Sequence, residues 1–316
     1  MSLQEKEIKI AELESKMALL KEDPELVNDL EIKTIAQTIE KYKLTSYLDK
    51  TAYDHVYLAR KADRPHIHDY IDHLFDDFIE MHGDRYFKDD GAIVGGIAYY
   101  RHQPVTIIGH AKGRSLEENM KTNFGMASPE GYRKSLRLMK QAEKFHRPII
   151  TFIDTPGAYP GIEAEENGIG EAIGRNLMEL SALKVPVLVF VVGEGGSGGA
   201  LAISIGDHIA MLENAVYSVL SPEGFASILW KDVKGERVGE ACEVMKLTAQ
   251  DLLEAHFIDE IIEEPITGAH VNDATVYKGI RHVLDDQLPH LMALSDKELV
   301  SKRYERYRLM GEVGHG

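Results

Sequence analysis

The run Pro186-Val187-Leu188-Val189-Phe190-Val191-Val192, then Gly193-Glu194-Gly195-Gly196-Ser197-Gly198-Gly199, decides the fold class of this chain. An apolar run without alternation predicts a strand covered on both faces, as in parallel sheets. The glycines end it, and residues 200–205 predict the start of a helix. Outward from this unit the same order recurs. Residues 148–153 predict a second buried strand, stopping at Asp154-Thr155-Pro156-Gly157, with helices over 130–145 and 170–183 on either side. Ala92-Ile93-Val94 before Gly95-Gly96, and 105–108 before Gly109, predict two more short strands, preceded by a helix over 67–81. Residues 216–220 predict a further strand, closed by Ser221-Pro222-Glu223-Gly224. Strands alternating with helices in this way indicate an α/β architecture.

The two ends differ from this pattern. Leu3, Ile10, Leu13, Met17 and Leu20 fall close to a 3/4 spacing and predict a helix. Asp23-Pro24 breaks it, and Pro24 suits the first turn of a second helix carrying Leu26, Leu30, Ile35 and Ile39. Two such helices are not stable alone and need each other, the main domain or another chain. Residues 296–310 predict a charged helix, a surface or contact element. The expected division is an N-terminal helical extension (1–40), a central domain (41–293) and a C-terminal helical tail (294–316).

Composition narrows the partners. The 316 residues suffice for one large domain or two small ones, at about 150 residues per domain. With 36 Lys+Arg against 52 Asp+Glu the net charge is −16, which argues against nucleic acid and anionic membrane as partners of this subunit alone. The single cysteine, Cys242, builds neither an internal disulfide nor a Cys-rich zinc site, and no metal is expected on the chain. No apolar run approaches the roughly 20 residues of a membrane span, and the N-terminus lacks a signal-peptide core. Cytoplasm is the expected compartment.

Three short motifs overlap at the strand ends. Gly193-x-Gly195-x-x-Gly198 fits a dinucleotide fingerprint but follows at least three earlier strands, where that fingerprint belongs at the first βα turn. Asp154-Thr155-Pro156-Gly157 is like a GTPase loop, yet no Gly-x4-Gly-Lys-Ser/Thr accompanies it. Gly195-x-Ser197-x-Gly199 fits a nucleophile elbow, with His256 or His270 as candidate triad partners and no HGGG-type oxyanion motif. A serine hydrolase using Ser197 therefore stands as the alternative. What the three share is glycine where backbone N–H groups lack partners, at Gly157-Ala158 and at Gly198-Gly199. Such groups favour an anion in front of them. Tight turns and close packing explain any one glycine, but four glycines and a serine within 195–199 exceed one turn's need and favour an oxyanion hole.

Longer motifs then resemble a known family. Residues 152–161 (Phe-Ile-Asp-Thr-Pro-Gly-Ala-Tyr-Pro-Gly), the glycine run 193–203, and Ser218-Val219-Leu220-Ser221-Pro222-Glu223-Gly224 resemble alpha subunits of the bacterial acetyl-CoA carboxylase carboxyltransferase. Asn123-Phe124-Gly125-Met126, Pro129-Glu130-Gly131-Tyr132-Arg133-Lys134, residues 93–98 and Gly268-Ala269-His270 also fit. The resemblance implies a crotonase-like (ClpP/crotonase) superhelix of ββα units. It implies transfer of a carboxyl group from carboxybiotin, held on a biotin carboxyl carrier protein, to acetyl-CoA, giving malonyl-CoA for fatty-acid biosynthesis. It also implies a beta subunit with a zinc ribbon in an α2β2 heterotetramer of subunits, and a biotin carboxylase component that consumes ATP. Residues 248–262 resemble the closing helix–strand of crotonase folds, although His256 stands where a glycine is usual.

By the same resemblance, the amides of Gly198 and Gly199 hold the biotin oxyanion and are the catalytic pair. Gly157, Ala158, Tyr159, Gly161, Gly195 and Gly196 shape the substrate-binding wall. No catalytic acid or nucleophile is needed, because prealigned N–H donors contribute most of the rate enhancement in such chemistry. Asp154 is expected to brace its loop, and Glu194 either contacts substrate or is a loop charge. Lys112, Arg114, Lys121, Arg133 and Lys134 either neutralise CoA phosphates or form an ordinary basic face. Cys242 is expected to be a buried small hydrophobe. An enoyl-CoA hydratase or isomerase of the same fold would act without biotin and needs a positioned Glu pair that the sequence does not identify.

Overall fold

The structure, a computed structural model, describes residues 3–22 and 29–310. Its centre is one sheet of eight strands: β1 (Asp76–Glu80), β2 (Ile93–Tyr100), β3 (Gln103–His110), β4 (Ile149–Thr155), β5 (Val187–Gly196), β6 (His208–Leu212), β7 (Val216–Ser218) and β8 (Glu260–Ile262). The order is β1-β2-β3-β4-β5-β6-β8, antiparallel up to β3 and parallel beyond it. β5 serves two neighbours in succession, β6 along Leu188–Val191 and β7 along Glu194–Gly196. Between these stretches its register against β4 shifts, and the glycines lie in the part beyond the shift. β4 and β5 are buried nearly throughout, as their unbroken apolar runs require. A stack of rings, Tyr70 on Phe152 (centroids 5.1 Å apart) and Phe152 on Phe190 (5.5 Å), ties the strands to the helix before β1.

Several expected boundaries moved for physical reasons. The helix expected over 67–81 stops at Leu74, and Asp76–Glu80 forms edge strand β1, with Asp77 at φ 52° in its irregular register. This edge strand half-buries only Phe78 and Glu80 of its five residues, too little pattern to separate from helical spacing. The expected strand ends at Gly95-Gly96 and Gly109 are strand interiors. A Cβ on Gly96 would lie 2.2 Å from the Ile79 carbonyl oxygen, and one on Gly109 would lie 2.4 Å from Ile67 Cδ1, so these glycines admit close neighbours. β5 likewise runs on to Gly196, and β7 ends at Ser218, two residues before the expected stop. The helix expected over 200–205 occupies Ser197–Leu201.

The helices in chain order are α1 (Leu3–Glu22), α2 (Asp29–Leu48), α3 (Ala52–Ala59), α4 (Ile67–Leu74), α5 (Leu116–Lys121), α6 (Pro129–Lys144), α7 (Ile162–Glu166), α8 (Ile169–Ser181), α9 (Ser197–Leu201), α10 (Pro222–Trp230), α11 (Val238–Met245), α12 (Ala249–Glu254), α13 (Asp273–Met292) and α14 (Asp296–Leu309). α1 and α2 pack on each other through Ile10, Ile35 and Ile39, with Leu13, Met17 and Leu20 beside them. Leu30 points to solvent, whereas the Asp23-Pro24 break and Leu26 lie outside the described residues. Glu7 anchors the pair to α3, accepting from Tyr57 Oη and Lys61 Nζ, each at 2.7 Å. α3 starts on a capping box of Thr51 and Asp54. Among the described residues no helix is long and apolar enough to cross a membrane.

Two buried guanidinium groups hold segments far apart in sequence. Arg64 forms a bidentate pair with Glu264 (2.8 and 2.9 Å) and donates to the Val192 carbonyl, one residue before the glycine run. Glu264 also accepts from Asn214 and from the Ala269 N–H, so all its bonds stay inside the protein. Arg303 of α14 donates to Asp207 and to the carbonyls of Leu180, Leu183 and Val185. The C-terminal helix is thus docked through a fully satisfied buried charge, which its surface-like composition conceals.

Candidate active site

A register shift between β4 and β5 positions the candidate site. Opposite Asp154 the register of β4 with β5 jumps from Ile153–Val191 to Thr155–Gly195. The extra length of β5 wraps round the Asp154 carboxylate, which accepts from Glu194 N–H (3.0 Å) and lies where a Cβ on Gly193 would be, 2.2 Å away. Lys112 Nζ reaches Asp154 (2.7 Å) and Glu194 (3.2 Å), and Arg60 joins Glu194 (2.7 Å) to Glu223 (2.6 Å). Burial pushes Asp154 up, but Lys112 outweighs it and holds the carboxyl below its ordinary value. Burial likewise works against the Lys112 ammonium, and Asp154 and Glu194 reverse it, keeping Lys112 charged. Asp154 therefore braces two strand ends, and Glu194 belongs to the same chain of charges.

On this frame the two glycine turns meet. A Cβ on Gly196 would lie 2.1 Å from the Pro156 carbonyl oxygen, and one on Gly199 would lie 2.4 Å from Ala158 N and 2.6 Å from Gly157 C. Real Cβ atoms do not sit so close to backbone, so only glycine allows this contact. Gly157 also has φ 150°, a conformation glycine favours. The Gly157 N–H donates to Thr155 Oγ1 (3.1 Å) and the Tyr159 N–H to the Ala127 carbonyl (3.0 Å). Those of Ala158, Gly198 and Gly199 have no turn or side-chain acceptor among the described residues, the last two lying in the first turn of α9. Being five residues long, α9 adds little dipole, so any anion here is held by individual amides. Gly161 opens α7 under the Tyr159 ring, and Gly195 is covered by Tyr217, whose Cδ2 would be 2.1 Å from an added Cβ.

The side-chain candidates are otherwise engaged. Ser197 is at φ 53°, but its hydroxyl bonds no histidine among the described residues; His256 is exposed at the end of α12, and His270 lies beside Lys61 and Asp63. The basic residues do not gather into a phosphate site: besides Lys112, Lys134 is buried on Asp89 (2.7 Å), Arg133 pairs with Asp84 and Glu130 (both 3.0 Å), Lys121 with Glu117 and Arg114 with Asp69. Cys242 is buried, and its thiol is pushed up to about 12, first by desolvation, so it stays protonated.

Residues 3–311 match the family model described as acetyl co-enzyme A carboxylase carboxyltransferase-like. The chain belongs to this family. It is 53% identical over 294 residues to the acetyl-coenzyme A carboxylase carboxyl transferase subunit alpha of Halalkalibacterium halodurans, covering 93% of this chain and 90% of that protein. The same subunit of Bacillus cytotoxicus is 52% identical over 307 residues, covering 96% and 94%. Among solved structures, the transcarboxylase 12S with methylmalonyl-coenzyme A bound superposes with TM-score 0.57 at 18% identity, over 74% of this chain and 43% of that one. The geranyl-CoA carboxylase beta subunit of P. aeruginosa gives TM-score 0.54 at 14% identity, over 80% and 45%. This chain thus spans under half the length of either. These neighbours establish the crotonase-like fold, and family membership leaves the serine-hydrolase alternative without support.

Within this carboxyltransferase family member, sequence reading missed Arg60, which joins α3 to the strand ends, and the Arg64–Glu264 clamp under β5. Neither has a local signal, because each partner is more than 130 residues away. Gly268-Ala269-His270 did carry one: its Ala269 N–H completes the Glu264 clamp. His256 also gains a reason, for at φ 59° it occupies a backbone conformation that favours glycine.

Proposed function

We propose that this chain is the alpha half of a carboxyltransferase that passes a carboxyl group from carboxybiotin on a carrier protein to acetyl-CoA, forming malonyl-CoA for fatty-acid synthesis in the cytoplasm. The observation that carries this reading is the seating of Gly199 on Gly157-Ala158, beside which the N–H groups of Ala158, Gly198 and Gly199 have no turn or side-chain acceptor among the described residues. Carboxybiotin supplies the carboxyl group, and its ureido oxygen gains negative charge as that group leaves. The amides of Gly198 and Gly199 suit such an oxygen, and Gly157, Ala158, Tyr159, Gly161, Gly195 and Gly196 form the wall around it. One donor of this kind is worth about 10²–10³ in kcat.

No side chain of this wall supplies a base. Asp154 and Glu194 are committed to Lys112 and Arg60, so the proton of the acyl methyl group leaves to an acceptor outside these carboxylates. This chain binds and orients, and a beta subunit with a zinc ribbon completes the site, with biotin carboxylase and the biotin carboxyl carrier protein as further partners. The test is reconstitution. The isolated chain should form no malonyl-CoA, and adding the beta subunit with carboxylated carrier should restore turnover. Full turnover by the single chain overturns the shared site, and inactivity of the assembled complex overturns the reaction.

A further inference from the structure

Beneath the contact of Gly199 with Ala158 sit two buried polar side chains that make no well-formed hydrogen bond among the described residues. Tyr132, in the first turn of α6, is fully buried, and its hydroxyl lies 2.9 Å from where a Cβ on Gly199 would be. His110, the last residue of β3, is buried too, and among the described residues neither its ring nitrogens nor the Tyr132 hydroxyl makes a well-formed hydrogen bond. Burial lowers the imidazole to about 4, so it is neutral at physiological pH and offers one N–H donor. Asp154 and the backbone oxygens of Gly199 and Phe152, which the ring approaches without closing a well-formed bond, act the other way, and the pairing of Gly109 with Phe152 sets His110 beside the same turn. Burial pushes the Tyr132 phenol up, so it too remains a donor.

Phenylalanine and leucine would fill these volumes without stranding polar atoms, and a buried donor without a partner destabilises the fold. Such groups persist where function uses them.

We propose that Tyr132 and His110 are positioning residues for carboxyl transfer: as charge gathers before the glycine wall, their O–H and N–H groups bond the Gly199 peptide and hold its neighbouring amides in line. This rests on the proposed function, and the test separates the two. In the assembled complex, carboxyl transfer and melting temperature are measured together for wild type, Tyr132→Phe, His110→Leu and His110→Gln. Tyr132→Phe and His110→Leu should each lower kcat about tenfold with KM for the acyl-CoA nearly unchanged. Their melting temperatures should stay level or rise, because each loses a polar group that the resting protein does not satisfy. His110→Gln, which restores a donor, should recover part of kcat.

A structural role would give the opposite pairing, lowered stability with activity per folded enzyme intact. That result overturns the inference, as does full kcat in either Tyr132→Phe or His110→Leu. An inactive wild-type complex would instead refute the functional reading itself.

Discussion

The glycine wall and the Arg64–Glu264 clamp lie at opposite ends of the same short piece of β5, and they hold it by opposite means. At the wall, backbone touches backbone, and nothing but missing side chains lets Gly196 reach Pro156 and Gly199 reach Ala158. At the clamp, one buried carboxylate gathers a guanidinium, an asparagine and two peptide N–H groups from three separate segments. The first fails when atoms are added and the second when they are removed. Damage to the wall should register in catalysis, and damage to the clamp in folding.

The largest effect should come from the clamp. Glu264→Ala leaves the Arg64 charge buried and uncompensated, and should destabilise the protein by about 3–5 kcal/mol in chemical denaturation. The same pair sets an acid limb. Burial raises the Glu264 carboxyl, but Arg64 more than offsets it and brings it to about 2 from an ordinary 4.5. A depressed carboxylate stabilises fully above 4.5 and progressively less as pH falls toward 2. Stability should therefore decline across that window, and Glu264→Gln should flatten the decline; an unchanged acid limb would mean that other carboxylates dominate it.

Next is the wall. Gly199→Ala, adding a single carbon against Ala158 N, should cost about 10²–10³ in kcat in the assembled complex, with assembly checked on the same sample. A small loss would mean that the two turns relax apart without consequence. Smaller again, His256→Gly removes a left-handed strain outside both regions and should stabilise by about 1 kcal/mol, read as a rise in denaturation midpoint. Ser197→Ala should change least, keeping most of kcat, because it deletes a hydroxyl and leaves every amide in place. Its inactivation would move the chemistry back onto a side chain.

The same contrast explains what could be read in advance. β4 and β5 were legible because parallel strands covered on both faces must be apolar throughout, and the glycines after them marked the proposed site. β1 was not, for an edge strand of five residues leaves too little pattern. Glycine itself was ambiguous: Gly95, Gly96 and Gly109 resemble the run at 193–199 in sequence but sit inside strands, admitting Leu138, the Ile79 carbonyl and Ile67. Lys112 and Lys134 looked like free cations, and only the fold shows them facing Asp154 and Asp89. Tyr132 lay inside a motif of the resemblance without a role attached to it and His110 gave no signal, since what sets both apart is burial without a well-formed hydrogen bond.

The meeting of Gly199 with Ala158 also bears on resistance and drift. A side-chain donor can be lost by one codon change, whereas a peptide N–H is present whatever residue other than proline is encoded. A compound anchored on the amides of this turn would face few escape routes, because replacing Gly199 pushes a carbon into Ala158 N before it touches the compound. Escape would have to arise elsewhere, in residues that shift the turn rather than in the turn, and α6 and β3 beneath it are where such variants should be sought.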